Sequence, residues 1–76
     1  MQILEQVADD LAQQALAEFD RTGDETIVDQ IGEMVGSSSQ TLQEAYLTAV
    51  RVRRAEARAR KFIASFKRDV PDRGAE

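Results

Sequence analysis

The stretch IGEMVGSSSQTLQEAY, residues 31–46, decides the fold because it joins two amphipathic segments through a Gly-Ser-Ser-Ser break. Gly36 is expected to end the first segment, since glycine commonly terminates helices. Ser37 or Ser38 can accept a hydrogen bond from the free amides of the next turn, and Gln40 follows Ser37 at capping-box spacing. The break therefore predicts a tight corner between two helices.

Apolar residues recur at helical spacing on both sides of this corner and predict an all-α fold of three helices. The predicted helices cover about 2–20, 25–35 and 38–69, and the third is unbroken until Pro71. Gly23 can take the left-handed conformation that closes the first helix, and Thr22 or Asp24 can cap the second. The predicted inner faces hold Ile3, Leu4, Val7, Ala8, Leu11, Ala15, Leu16 and Phe19 in the first helix and Ile27, Val28, Ile31, Met34 and Val35 in the second.

Glycine inside a helix is costly, by about 1 kcal/mol relative to alanine. Gly32 lies inside the predicted second helix. Its presence there indicates that another helix crosses closely at this point. Tyr46, on the third helix, is expected in the core.

The length of 76 residues indicates one trihelical domain, residues 1–70, followed by a flexible tail, residues 71–76. A single core of this size rarely contributes more than about 3–5 kcal/mol without further support. The chain has no Cys and no His, so disulfides and thiolate metal sites are excluded and no cofactor is expected. No signal peptide or membrane-spanning run is visible, which predicts a soluble cytoplasmic protein. Oligomerisation is then the remaining source of stability.

A heptad stripe along the third helix predicts a homodimer. Its members alternate in steps of three and four, with Glu56 as the single charged interruption: Leu42, Ala45, Ala49, Val52, Glu56, Ala59, Ile63, Phe66 and Val70. The first two helices are too short to cover the whole stripe, so Ile63 and Phe66 need a partner. We therefore assign dimerisation to Val52, Ala59, Ile63 and Phe66, and the pattern fits parallel and antiparallel pairs equally.

The net charge of −4 hides a strong division along the chain. Residues 1–50 contain ten acidic residues and one basic residue, whereas residues 51–68 contain eight basic residues and one acidic residue. A basic block is typical of segments that bind nucleic acid or anionic membranes. It is equally compatible with a solvated, salt-bridged helix whose basic end lies against acidic helices of its own chain or of a partner.

The segment TIVDQIGEMVGSSSQTL, residues 26–42, resembles the DNA-binding segment of the tetracycline-repressor family, whose usual form is T-x-x-D-I-A-x-x-A-G-V-S-x-x-T-L. The resemblance covers roughly residues 12 to 46 and does not extend to that family's ligand domain. The matching positions are Ala15, Leu16, Phe19 and Gly23 upstream, and Ile31, Gly32, Val35, Gly36, Ser38, Thr41 and Leu42 in the segment itself. The resemblance implies a helix-turn-helix unit that binds double-stranded DNA as a homodimer and regulates transcription.

On that interpretation the N-terminus of the third helix would enter the major groove. The hydroxyls of Ser38 and Thr41 would hold phosphates. Ser39, Gln40 and Gln43 would face base edges, because glutamine can bind adenine through two hydrogen bonds. The nearest basic residues, Arg51, Arg53 and Arg54, would reach a flanking phosphate backbone.

The alternative is a non-catalytic protein-interaction module, such as an adaptor, an antagonist or an antitoxin-like protein, that does not bind DNA. It is favoured by charge, because Glu33 and Glu44 flank the predicted corner and residues 36–50 contain no Lys or Arg. Neither interpretation involves catalysis, since the sequence offers no nucleophile–base pair and no Gly-rich phosphate loop. No metal site is expected, since DRTGDE, residues 20–25, lacks calcium-loop spacing.

Overall fold

The computed structural model describes residues 2–69, which form three helices. They are α1 (Gln2–Thr22), α2 (Thr26–Ser38) and α3 (Gln40–Asp69). The predicted all-α fold is confirmed, and no strand occurs in this range. Val70, the last member of the predicted heptad stripe, and the predicted tail lie outside the described residues.

The connection between α1 and α2 follows the sequence prediction. Gly23 adopts φ +75°, and its amide donates to the carbonyl of Phe19 at 2.7 Å. The Asp24 carboxylate accepts from the amide of Thr26 at 3.0 Å and from its hydroxyl at 2.6 Å. These bonds satisfy a free amide at the start of α2.

The connection between α2 and α3 differs from the prediction. α2 does not end at Gly36 but continues to Ser38, and Ser39 alone is extended, with φ −154° and ψ 108°. The amide of Ser39 donates to the carbonyl of Val35 at 2.9 Å, and its hydroxyl accepts from the amide of Leu42 at 3.0 Å. Ser39 therefore closes one helix and caps the next, a role that the sequence assigned to Ser37 or Ser38.

Close approach of α3 explains both glycines of α2. A Cβ atom added at Gly32 would lie 3.3 Å from the ring of Tyr46, which confirms the close crossing predicted there. A Cβ atom added at Gly36 would overlap the side-chain amide of Gln43. That amide donates to the carbonyl of Gly32 at 3.0 Å. Gly36 thus makes room for Gln43, and it lies within α2 instead of ending it.

The core lies where α1 crosses α3 beside α2. Ala8, Ala12 and Ala15 are fully buried at steps of four and three along α1, and such small side chains let α3 approach closely. Tyr46 is fully buried, as predicted, and its hydroxyl donates to the carbonyl of Val28 at 2.7 Å. The remaining buried members are Val28 and Val50, and the partly buried residues around the core are Leu11, Leu16, Phe19, Ile31, Leu42, Ala45, Leu47 and Ala49.

Some residues predicted to face inward are exposed. Met34 is 74% exposed, because Gly32 and Gly36 face α3 and Met34 lies about 200° around the helix from Gly32. Ile3 and Val7, at the start of α1, are also exposed. Among residues 2–69, no helix is long and apolar enough to cross a membrane.

The molecule is long and thin. The extents of the backbone along its principal axes are 56, 31 and 12 Å. The Cα atoms of one helix span about 4.6 Å across its axis, so the thinnest dimension corresponds to at most two helices in contact. On the side of α3 that faces away from Tyr46 and Val50, Val52, Phe62 and Phe66 are exposed.

Candidate interaction surfaces

The corner between α2 and α3 exposes only part of the predicted DNA-contacting set. Ser38, Gln40 and Thr41 are exposed. Ser39 is half-buried, with its hydroxyl bonded to the amide of Leu42. Gln43 is half-buried, with its amide bonded to the carbonyl of Gly32, so this side chain holds α3 against α2.

The three predicted arginines are also divided between surface and packing roles. Arg53 is half-buried and binds the two carboxylate oxygens of Asp9 on α1, at 2.7 and 2.6 Å. It also contacts Glu56 at 3.2 Å. Arg51 and Arg54 are exposed, and the guanidinium of Arg54 lies 6.0 Å from the ring centroid of Phe19.

The link between Arg53 and Asp9 shifts both groups in the direction expected of a charge-assisted pair. The hydrogen bonds from Arg53 hold the pKa of Asp9 below its usual value of 3.8, against the opposing effect of desolvation. The same bonds raise the pKa of Arg53. This pair joins α1 to the middle of α3, so in this structure Arg53 supports the fold.

The surface beside the N-terminus of α3 is apolar and acidic. A shallow apolar groove of about 290 Å³ is lined by Ile3, Leu4, Val7, Ser39 and Leu42. Glu33 and Glu44 are exposed on the two helices that form the corner. Neither feature attracts a phosphate backbone.

A second groove, of about 390 Å³, runs between α1 and α3, and we call it the α1–α3 groove. Leu4 and Ala8 of α1 and Thr41 and Ala45 of α3 line it. Its acidic lining residues are Glu5 and Glu44. The groove is therefore a concave surface of small side chains with negative charge at its border.

The second half of α3 extends past the other two helices. Within residues 2–67, the hydrogen bonds and ion pairs that join α3 to α1 and α2 all come from residues up to Arg53. Farther along, Phe62, Ile63 and Phe66 are 64%, 53% and 55% exposed. The rings of Phe62 and Phe66 lie edge to face, with centroids 4.7 Å apart. Large apolar side chains clustered in this way mark an interaction surface more often than a free one.

The predicted dimerisation residues Val52, Ala59, Ile63 and Phe66 are all exposed. The heptad stripe to which they were assigned is nevertheless not one continuous surface. Its first members, Leu42, Ala45 and Ala49, pack partly against the core of the same chain. Glu56, the charged interruption, pairs with Arg53 and with Arg60, the latter at 2.9 Å.

A second stripe shares Ala45, Val52, Ala59 and Phe66 with the predicted one and runs along the side of α3 that faces away from Tyr46 and Val50; we call it the outer stripe. It consists of Thr41, Ala45, Thr48, Val52, Ala55, Ala59, Phe62 and Phe66, and all of these except the half-buried Ala45 are exposed. Successive members are four and three residues apart, as in a coiled-coil seam, with no charged residue among them. The sequence prediction shifted the alternate members by one residue, to Leu42, Ala49, Glu56 and Ile63, because the threonines and alanines of the outer stripe are weak apolar signals.

No protein-family model, curated protein or solved structure matches this chain. The surfaces just described are therefore the basis for assigning a function. Among residues 2–69, no group of three or more acidic residues is placed to hold a metal ion.

Proposed function

We propose that this protein is a non-catalytic helical interaction module that works as a homodimer, joined through the outer stripe of α3. The observation that supports this most directly is the exposure of Phe62, Ile63 and Phe66 on a helix end that extends beyond its own fold. Pairing would remove these exposed apolar side chains from water.

The small core favours the same conclusion. Its largest fully buried side chain is Tyr46, and the other members are alanines and valines. Burial of an aromatic or large aliphatic side chain contributes about 1.5–3 kcal/mol. Covering Phe62 and Phe66 of each chain would therefore add stabilisation comparable with that of a core of this size.

The test is the mass of the protein in solution as its concentration changes, measured by sedimentation equilibrium. We expect a dimer at micromolar concentration. The double variant Phe62→Asp/Phe66→Asp should be monomeric, because two buried unpaired charges per chain oppose association. Its circular dichroism should remain helical.

The matched control is Ala57→Asp/Ala64→Asp. It adds the same charge to the same helix, but positions 57 and 64 lie about 140–200° around the helix from Phe62 and Phe66. This variant should remain dimeric. A monomeric wild-type protein at 100 µM, or an unaltered dimer in the Phe variant, would contradict the proposal.

Sequence-specific DNA binding is the second candidate. It is favoured by the resemblance of residues 26–42 to the tetracycline-repressor family, by the exposed Ser38 at the end of α2, and by the exposed Gln40 and Thr41 in the first turn of α3. Arg51 and Arg54 are exposed farther along the helix and could reach a phosphate backbone. It ranks second because Glu33 and Glu44 would repel phosphates and Gln43 is occupied in packing.

Fluorescence anisotropy with random duplex DNA at 25–200 mM salt separates the two candidates. DNA recognition by the corner predicts a salt-sensitive complex that Gln40→Ala weakens, with a loss of about 1–3 kcal/mol of discrimination at one base pair. Loss of binding only in Arg51→Ala/Arg54→Ala would move the contact to the phosphate backbone. Absence of binding at 25 mM salt would eliminate this candidate and leave the interaction module.

A further inference from the structure

We infer that the two chains pair in antiparallel orientation along the outer stripe, so that Phe62 and Phe66 of each chain fill the α1–α3 groove of the other. This inference rests on the proposed homodimer and specifies its surface and its direction. Three independent features of the chain support it: the distribution of side-chain size, the groove, and the distribution of charge.

Side-chain size changes along the outer stripe. Its first three members are Thr41, Ala45 and Thr48, its middle members are Val52, Ala55 and Ala59, and its last two are Phe62 and Phe66. Close packing requires large side chains of one helix to face small ones of its partner. A parallel pair would place each phenylalanine against its own copy and each small residue against another small one. An antiparallel pair places large against small at both ends.

The register of the antiparallel pair follows from the spacing. In an antiparallel coiled coil, members of the two alternating heptad positions face each other across the seam. Matching large with small then places Phe66 opposite Thr41 of the second copy and Phe62 opposite Ala45. The middle of the seam pairs Val52 with Ala55 and Thr48 with Ala59. Small residues at the centre allow the two helix axes to lie close together.

The groove is located where this register needs it. Thr41 and Ala45, the positions opposite the two phenylalanines, line the α1–α3 groove together with Leu4 and Ala8 of α1. A phenylalanine of the second copy would therefore enter a concave apolar surface of about 390 Å³ instead of lying on a convex helix. In a parallel pair this groove would stay unfilled.

The distribution of charge along the chain also favours the antiparallel orientation. The groove is bordered by Glu5 and Glu44, whereas the end of α3 that carries the phenylalanines has the basic residues Arg58, Arg60, Lys61 and Lys67. Antiparallel pairing brings the basic end of each chain beside the acidic border of the other. Parallel pairing would place the two basic ends side by side, which is unfavourable at low ionic strength.

Disulfide cross-linking tests the direction, since the natural chain has no cysteine. Thr48→Cys and Ala59→Cys are exposed positions that face each other only in the antiparallel register, close enough for a disulfide. We expect the mixed disulfide to dominate when the two variants are combined and oxidised, and little cross-linking when either is oxidised alone. Intact mass identifies which chains are joined.

The outcomes of the experiment are distinguishable. Efficient cross-linking of Thr48→Cys alone or Ala59→Cys alone would show a parallel pair and overturn this inference while leaving the homodimer intact. A dimer that forms no mixed disulfide would place the interface elsewhere and overturn it too. A protein that is monomeric throughout would contradict the homodimer itself.

A charge reversal provides a second, independent test. Glu44→Lys should weaken the dimer about 3- to 10-fold at low salt, because it places a positive charge beside the basic end of the second copy. Glu33→Lys is the matched control, since it makes the same change on α2, outside the groove, and should leave the dissociation constant unchanged. Equal effects of the two reversals would contradict the antiparallel arrangement.

Discussion

The two halves of α3 use opposite sides of one continuous helix. In the first half, the inner side carries Tyr46 and Val50 into the core against α1 and α2. In the second half, the apolar residues lie on the other side, where Phe62 and Phe66 are exposed. A single helix thus carries one apolar face that is buried in its own fold and another that is exposed.

The two halves also differ in what stabilises them. The first half has burial and bonds to other helices, including Tyr46 to Val28 and Arg53 to Asp9. The second half has local interactions, such as the pair between Arg60 and Glu56, which contribute about 0.2–0.5 kcal/mol each. Short helices without tertiary contacts are marginal in water. The second half is therefore the part of α3 with the least tertiary support.

Truncation of one aromatic side chain in each half should give the largest difference in the free energy of unfolding between the halves. Tyr46→Ala removes the largest fully buried side chain and should lower the free energy of unfolding by about 3–5 kcal/mol, enough to unfold a domain of this size. Phe62→Ala should leave the dilute protein folded, because its side chain is exposed. Urea denaturation followed by circular dichroism measures both.

Tyr46→Phe separates packing from hydrogen bonding at the same position. It removes only the hydroxyl that donates to the carbonyl of Val28, so the expected loss is about 0.5–1.5 kcal/mol. A Tyr46→Ala protein with an unchanged urea midpoint would mean that the core is not centred on this ring.

At the corner between α2 and α3, stability should depend on Ser39 more than on the other two serines. Ser39→Ala removes the acceptor for the amide of Leu42 and should cost about 1 kcal/mol, the usual effect of losing an N-cap. Ser38→Ala is the control, because Ser38 is an exposed residue of α2 and should change stability little. The reverse order of effects would place the cap where the sequence predicted it.

The number and order of the helices could be predicted from periodicity, and so could the close approach at Gly32 and the left-handed conformation of Gly23. The position of the corner could not. Ser37, Ser38 and Ser39 are equally good caps by residue type, and the choice depends on where Gln43 packs against Gly36. That contact joins residues on two helices and leaves no local signal.

The register of the exposed stripe was unpredictable for a related reason. Alanine fits both a core position and a seam, so Ala45, Ala49 and Ala59 supported a stripe that the structure divides between two surfaces. A heptad stripe with alternating steps of three and four residues can start at Leu42 or at Thr41, and the two stripes contain similar numbers of apolar residues. Which of them faces solvent is determined by the direction from which α1 crosses, and this depends on tertiary packing.

The contact between Gly36 and Gln43 can be tested by coupling two substitutions. Gly36→Ala alone should change stability little, since a gain in helix propensity of up to about 1 kcal/mol is offset when the amide of Gln43 is displaced from the carbonyl of Gly32. In a Gln43→Ala background the space is free, so Gly36→Ala should be stabilising. Thermal unfolding of the four proteins gives the coupling energy. Equal effects in both backgrounds would show that the two residues do not compete for space.

The smallest effect on stability is expected from lowering the pH, which protonates Asp9 in its pair with Arg53 between α1 and the middle of α3. Arg53 holds the pKa of Asp9 below its usual 3.8, so the folded state favours the carboxylate more than the unfolded state does. The stability from this pair is therefore fully present above about pH 4 and is lost as the pH falls through the lower pKa of the folded protein. Asp9→Asn should be less stable than wild type at pH 6. Curves of the free energy of unfolding against pH for the two proteins should converge towards pH 2.

The lowered pKa values of Glu18 and Asp24 affect the acid stability of both proteins alike. Glu56, whose pKa is also lowered, shares Arg53 with Asp9, so the difference between the wild-type and Asp9→Asn curves reports on Arg53 with both of its carboxylate partners. Asp10→Asn is the matched control, because Asp10 bonds to Gln14 on its own helix at 2.8 Å and does not reach α3. Its curve should stay parallel to that of wild type. If the Asp9→Asn curve did so as well, the two halves of α3 would not be divided at Arg53, and the boundary between the covered and the uncovered part of the helix would have to be moved towards Val50.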